Sequence, residues 1–189
     1  MAFEEVKIVD PYVEKGWTPE LKLTLASLDE VDAVEAELDV VFPEGYREFV
    51  TTLGLGQYCN FIRIDMPSRI LSEYEEHQRS LNEYWFWDLS KDVLSQERAM
   101  ESIKIGDTDH GDVIIFHPEN NRELFVLPRD DDLLHRIGSN LYEAIDWLCT
   151  SRDNPHSGSV GETHKRRYFV PSNPLARTHG VLVPEEFRT

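Results

Sequence analysis

The residue types best suited to chemistry crowd one stretch, Glu101–Arg129, where Asp107, Asp109, His110 and Asp112 stand close together and His117 follows. Two imidazoles and three carboxylates are donors that a divalent cation takes, and a bound cation would make a metal-dependent enzyme the reading. Strand geometry works against it. His110 falls in a turn and His117 at the far end of the next strand, about 20 Å away at ordinary strand rise. Turn carboxylates and a strand-end histidine are the competing reading, and no metal or other cofactor is expected. The chain has no Gly-x-Ser-x-Gly elbow, no phosphate-binding P-loop and no His-Glu-x-x-His, so no hydrolase motif competes. Gly54-Leu55-Gly56 follows a helical pattern instead of a strand and has Cys59 where a third glycine would stand, so it is read as a helix stop. His156, His164 and His179 are too dispersed to form a site.

The elements around this stretch explain its residues more simply. Ile103 and Ile105 alternate with Lys104, Val113–Phe116 is an unbroken apolar run, and Leu124–Leu127 is another. Each has the length of an ordinary strand. Gly106, Asp107, Asp109 and Gly111 lie between the first two runs, and Asn120-Asn121 between the second and third; these residues tolerate positive φ or cap their own backbone. A β-meander results, with Val113–Phe116 as a central strand buried on both faces.

Helices are predicted to cover it. Ser27-Leu28-Asp29-Glu30 is a capping box, and Val31, Val34 and Leu38 then fall on one stripe. Pro43 sits where a first helical residue belongs, Tyr46, Phe49, Val50 and Leu53 repeat at helical spacing, and Gly54 can close the end. After a strand at Phe61–Ile64, a helix from Ser68 buries Ile70, Tyr74, His77 and Leu81 and carries Glu73, Glu75 and Glu76 outward. Lys91–Met100 is read as helical and Leu133–Ile137 as a short strand. Ser139 caps a final helix with the stripe Leu141, Ala144, Ile145 and Leu148. The domain reading is an arm over 1–25, a body over 26–150 and an extension over 151–189, whose apolar snippets Tyr168-Phe169-Val170 and Val181-Leu182-Val183 can lie against the body.

Composition bounds the function. At 189 residues the chain buries roughly 70% of its unfolded surface without help from a disulfide or metal. Cys59 and Cys149 match no CxxC or zinc spacing and are read as separate buried thiols in a reducing compartment. No apolar run reaches the ~18 residues of a membrane span, so a cytoplasmic protein is expected. The net charge is −17; six basic and four acidic residues from Ser151 on give +2 there and leave −19 on Met1–Thr150. Such a body repels nucleic acid and anionic membranes.

Phe42-Pro43, Tyr46, Phe49-Val50 and Gly54, then Ile105-Gly106-Asp107, Gly111-Asp112 and a closing amphipathic helix, resemble the SUKH superfamily over roughly Ala26–Cys149. Gly54-Leu55-Gly56 stands where that family usually has an Asn-Gly-Gly-like turn. The resemblance implies an α+β fold, a mainly antiparallel sheet wrapped by helices, and a non-enzymatic role. Most bacterial members are encoded beside polymorphic or contact-dependent toxins and protect the producing cell by binding the toxin domain, often a nuclease, so the resemblance implies an immunity protein. The implied partner is a cognate toxin domain with a basic groove, met by a monomer or weak homodimer; the alternative within the family is a regulatory scaffold with a different partner. Motif residues explain themselves as fold residues, so contacts are expected from acidic and aromatic residues outside the core: Glu73, Glu75, Glu76, Trp85, Trp87, Asp88, Asp130, Asp131 and Asp132. Tyr84–Trp87 enters this set because no single face can bury four successive aromatics, and Trp and Tyr anchor interfaces.

Overall fold

In the computed structural model, residues 3–9, 23–83, 87–119, 122–131, 133–150 and 167–172 are described. The meander expected from the sequence forms the centre of an eight-stranded sheet. Its strands are β1 (Lys7–Ile8), β2 (Gly56–Tyr58), β3 (Ile62–Ile64), β4 (Ile103–Thr108), β5 (Val113–Phe116), β6 (Leu124–Leu127), β7 (His135–Gly138) and β8 (Tyr168–Pro171). They lie in the order β1-β8-β2-β3-β4-β5-β6-β7, and every pairing is antiparallel except β1 with β8. With helices α1 (Leu28–Leu38), α2 (Tyr46–Thr52), α3 (Pro67–Glu83), α4 (Trp87–Ser90), α5 (Gln96–Ala99) and α6 (Leu141–Thr150), this is an α+β fold. No described helix is long and apolar enough to cross a membrane.

Period-two alternation divides the apolar residues between two cores. Ile114, Phe116, Leu124 and Val126 face the main core with α1, α2 and α6, whereas Ile115, Phe125 and Leu127 face a second, smaller core with Leu81, Leu94, Ala99 and Leu134. That is why β5 and β6 read as unbroken apolar runs: both faces are covered. Snippet Tyr168–Val170 is a strand: β8 pairs with β2, matching Tyr58 to Phe169, and with β1 on its other side. Phe3, fully buried, places its ring 5.1 Å from Phe49 and 5.0 Å from Tyr142. Val181–Val183 lies outside the described residues.

Several local expectations shift by a turn. At Ser27 the capping box forms as written, its side chain accepting from Glu30 N while Glu30 Oε2 accepts from Ser27 N at 2.7 Å. The second helix starts at Tyr46 and not at Pro43, because Gly45 at φ +90 breaks the helical path and leaves Pro43 O accepting from Tyr46 N in a preceding turn. Gly54, at φ +72, does stop α2, its N–H donating to Phe49 O; β2, absent from the sequence reading, begins two residues later. Lys91–Met100 is not one helix: Ser90 O accepts from Val93 N and Leu94 N to close a turn after α4, and Ser95 caps the separate α5. The strand expected over Leu133–Ile137 is β7 and runs His135–Gly138, and Asn140 caps α6 in place of Ser139, its Oδ1 accepting from Glu143 N at 2.9 Å.

Tyr46 ties the two halves of the main core. Its buried hydroxyl donates to Asp65 O at 2.8 Å. Tyr46→Phe keeps the ring but orphans a buried carbonyl, so stability is expected to fall by about 1–2 kcal/mol, read as a lower urea midpoint with unchanged m-value.

Candidate functional site

The expected contact residues come from three separate stretches of sequence, and the second core holds residues that lie near each of them in the chain. Leu81 from the end of α3, Leu94 and Ala99 from the α4–α5 segment, and Leu134 after the acidic turn all pack there. Two hydrogen bonds pin the assembly: Leu134 N donates to Ser90 Oγ at 2.8 Å, and Gln96 Nε2 donates to Asn82 O at 3.3 Å. Around it the surface is mixed. Glu75, Glu76 and Asp130 are exposed, Asp131 is half-buried and accepts from Leu133 N at 3.1 Å, and Leu89, Val93 and Leu133 are 63%, 44% and 48% exposed. An open groove of about 420 Å³ runs along α3 between Tyr74, Glu75, Arg79 and Met100. Trp85 and Asp132 lie outside the described residues, and of Trp87 and Asp88 only the backbone, on α4, is described.

Glu73 differs from its helical neighbours. It pairs with Arg69 at 2.8 Å and with Lys104 at 3.5 Å, and burial is outweighed by these cations so that its carboxyl sits below the usual range. These pairs belong to a network across α3, β3 and β4. Buried Asp65 lies 3.2 Å from Arg69 and 3.5 Å from Lys104, and Asp107 meets Arg63 at 2.5 Å and Lys104 at 3.6 Å. Burial nevertheless pushes the Asp65 carboxyl up, against the pull of Lys104 and Arg69. Glu73 therefore holds α3 to β4. Its position on α3 could not reveal this, since the partner Lys104 is far along the chain.

The acidic surface also extends beyond the expected set. Helix α1 packs beside α3 and exposes Asp29, Glu30, Asp32 and Glu37. Only Arg47, paired with Asp32 and Glu35, offsets charge there among the ion pairs of the described residues. The signal was present in the composition of Leu28–Leu38; what the sequence could not supply was the neighbour.

The residues considered for a metal are engaged within the fold. Asp112, buried, accepts from Thr108 Oγ1 at 2.8 Å and from Arg129 N at 3.1 Å, closing the β4–β5 turn and fixing the β6 exit. His110 places its ring 5.6 Å from that of Phe61. His117, at the other end of β5, lies with Nε2 3.0 Å from Glu101 Oε2, while its Nδ1 accepts from Glu119 N. Among the described residues no group of three or more His, Cys, Asp or Glu side chains is placed to hold a metal ion.

Acidic helices laid over an antiparallel sheet, with one Gly-Asp pair inside β4 where the sequence suggested a turn and a second at the β4–β5 turn, both carboxylates serving the fold, are the features of a SUKH-type domain. The chain matches the SMI1 / KNR4 family (SUKH-1) over residues 25–147 and belongs to that family. Neither the curated proteins nor the solved structures give a match. Pro43, Tyr46, Phe49 and Val50, which carried the resemblance, are buried, as are Ile105 and Asp112.

Proposed function

We propose that this chain is an immunity protein that binds and neutralises a cognate bacterial toxin domain in the cytoplasm by occluding it with an acidic surface. The observation that supports this reading is the packing of Leu81 from the end of α3, Leu94 and Ala99 from the segment after α4, and Leu134 in one small core, on a body of charge −19. A nuclease toxin fits best, because its phosphate-binding groove is basic and would be met rapidly by such a surface. Leu89, Val93 and Leu133 supply apolar anchors within the acidic rim, the pattern of a hot spot ringed by polar residues. Inhibition by occlusion requires no bond-making from the inhibitor.

The reading predicts that the gene lies directly downstream of one for a large secreted protein with a toxic C-terminal domain, and co-expression with that domain tests it. Cells expressing both should survive; soluble expression of this chain without rescue would sink the immunity role and favour the regulatory alternative. Reversing Glu75, Glu76, Asp130 and Asp131 to lysine together should slow association with the toxin domain by about 10–100-fold at low salt and flatten its salt dependence. Stopped-flow binding measures this, and an unchanged Tm shows that the fold was spared.

A further inference from the structure

Cys59 and Cys149 are far apart in sequence, yet their thiols share a hydrogen bond in the main core. Cys59 occupies the β2–β3 turn, where it and Asn60 both take left-handed backbone, at φ 52 and 53. Cys149 lies in the last turn of α6. The strand β8 closes the third side: Cys59 N donates to Tyr168 O at 2.9 Å, and the Tyr168 backbone N–H in turn reaches the Cys59 sulfur. Both cysteines are unbridged; Cys59 is 1% exposed and Cys149 half-buried, so the pair is enclosed without being sealed. A second feature points into the same spot. The Tyr58 hydroxyl is fully buried, has no hydrogen-bond partner among the described residues, and lies close enough to interact electrostatically with both thiols.

We propose that Cys59 and Cys149 are a dithiol site that a hydroperoxide oxidises to an intramolecular disulfide. Cys59 is the nucleophile. The Cys149 hydrogen bond, the Tyr168 N–H and the Arg167 guanidinium hold its thiol below the ordinary value against the opposing effect of burial, while the same hydrogen bond and burial push Cys149 up. Hydrogen-bond donors and a guanidinium, here paired with Asp146 at 3.0 Å, are the groups that favour a thiolate, and half-buried Cys149 is the side from which a small oxidant reaches the pair. Hydrogen peroxide, barely larger than water, is the oxidant such a site admits. The Cys59 thiolate attacks one peroxide oxygen, the O–O bond breaks, and hydroxide leaves and is protonated to water, giving the sulfenic acid. The Cys149 sulfur then attacks the Cys59 sulfur, the S–O bond breaks, and hydroxide leaves with the Cys149 proton as a second water. Two thiols lose two electrons and two protons, and one peroxide becomes two waters. The cross-link joins the β2–β3 turn to the end of α6, at the place where β8 meets β2.

The test uses the full-length chain, reduced, freed of reductant and treated with hydrogen peroxide at several protein concentrations. Expected are loss of both titratable thiols, a mass lower by two hydrogens, a non-reducing peptide map joining the Cys59 and Cys149 peptides, and a rate independent of protein concentration. Tm should rise by on the order of 10 °C, since the bond closes a long loop, and fall back on adding a thiol reductant. In Cys149→Ser, Cys59 should stop at the sulfenic acid and be labelled by a cyclic 1,3-dione; in Cys59→Ser, Cys149 should stay unlabelled. Intermolecular dimers or sulfinic acid without the Cys59–Cys149 peptide, or thiols that survive peroxide in the wild-type chain, would overturn the proposal whether or not either variant folds.

Discussion

Gly54→Ala should cost about 4 kcal/mol of stability, the larger part of what a marginal domain has and a drop in Tm on the order of 10 °C. Two independent effects add. At φ +72 the backbone is in the left-handed region, where a Cβ costs about 1–2 kcal/mol. That Cβ would also lie 2.0 Å from Thr24 O, and because the obstacle is backbone, the chain before α1 must shift, an overpacking worth about 1–3 kcal/mol. Shifting it disturbs the bond from Leu55 N to Thr24 O, 2.9 Å long, which fastens this segment to the end of α2. Gly111→Ala is the control. Its φ is +92, but its Cβ would meet Arg129 Cδ at 2.9 Å, the flexible stem of a side chain that can move aside. A loss of only about 1–2 kcal/mol is expected there. Urea unfolding of the two variants decides the matter; equal losses would show that the Thr24 approach contributes nothing.

The second large effect is on acid stability. His77 on α3 is 8% exposed, its Nε2 has no hydrogen-bond partner among the described residues, and burial, with nearby Lys104 adding to it, depresses its pKa to about 4. The unfolded chain takes up this proton near pH 6.5, whereas the folded chain refuses it until about pH 4. Stability from this group is therefore intact above pH 6.5 and is lost as the pH falls to 4, in total about 3 kcal/mol. Glu73, Glu30 and Glu143 have lowered values and lose their contribution only in the carboxylate range, below most of that window. Asp65, with its raised value, acts with the opposite slope. His77→Leu removes the titration while keeping an apolar filling for the site. The wild-type curve of unfolding free energy against pH should fall steeply between 6.5 and 4 and the variant's should not; parallel curves would show that His77 is solvated in the folded state. An NMR titration of the imidazole reads the same pKa directly.

Residues that decide their own structure through near neighbours were legible. The capping box at Ser27 needs only Glu30, three positions on, and the alternation in β4, like the unbroken runs of β5 and β6, reports burial through spacing alone. Family membership was legible for the same reason, since its motif residues are those that make turns and start helices. Local rules failed where two of them competed. Pro43 is a good first helical residue, but Gly45 two positions later takes a conformation that no helix admits, and the helix waits for Tyr46.

What the sequence alone determined is most of the elements, the α+β class and the sign of the surface, because periodicity, capping and charge are properties of neighbouring residues and of composition; β2 and the split of Lys91–Met100 escaped it. Only the tertiary structure decided which elements meet. It engages Glu73 with Lys104, brings the α4 segment to Leu134, and joins Cys59 to Cys149. Each of these contacts spans tens of residues, and such a contact leaves no mark in either local pattern: it exists because the sheet order and the two cores hold the segments side by side.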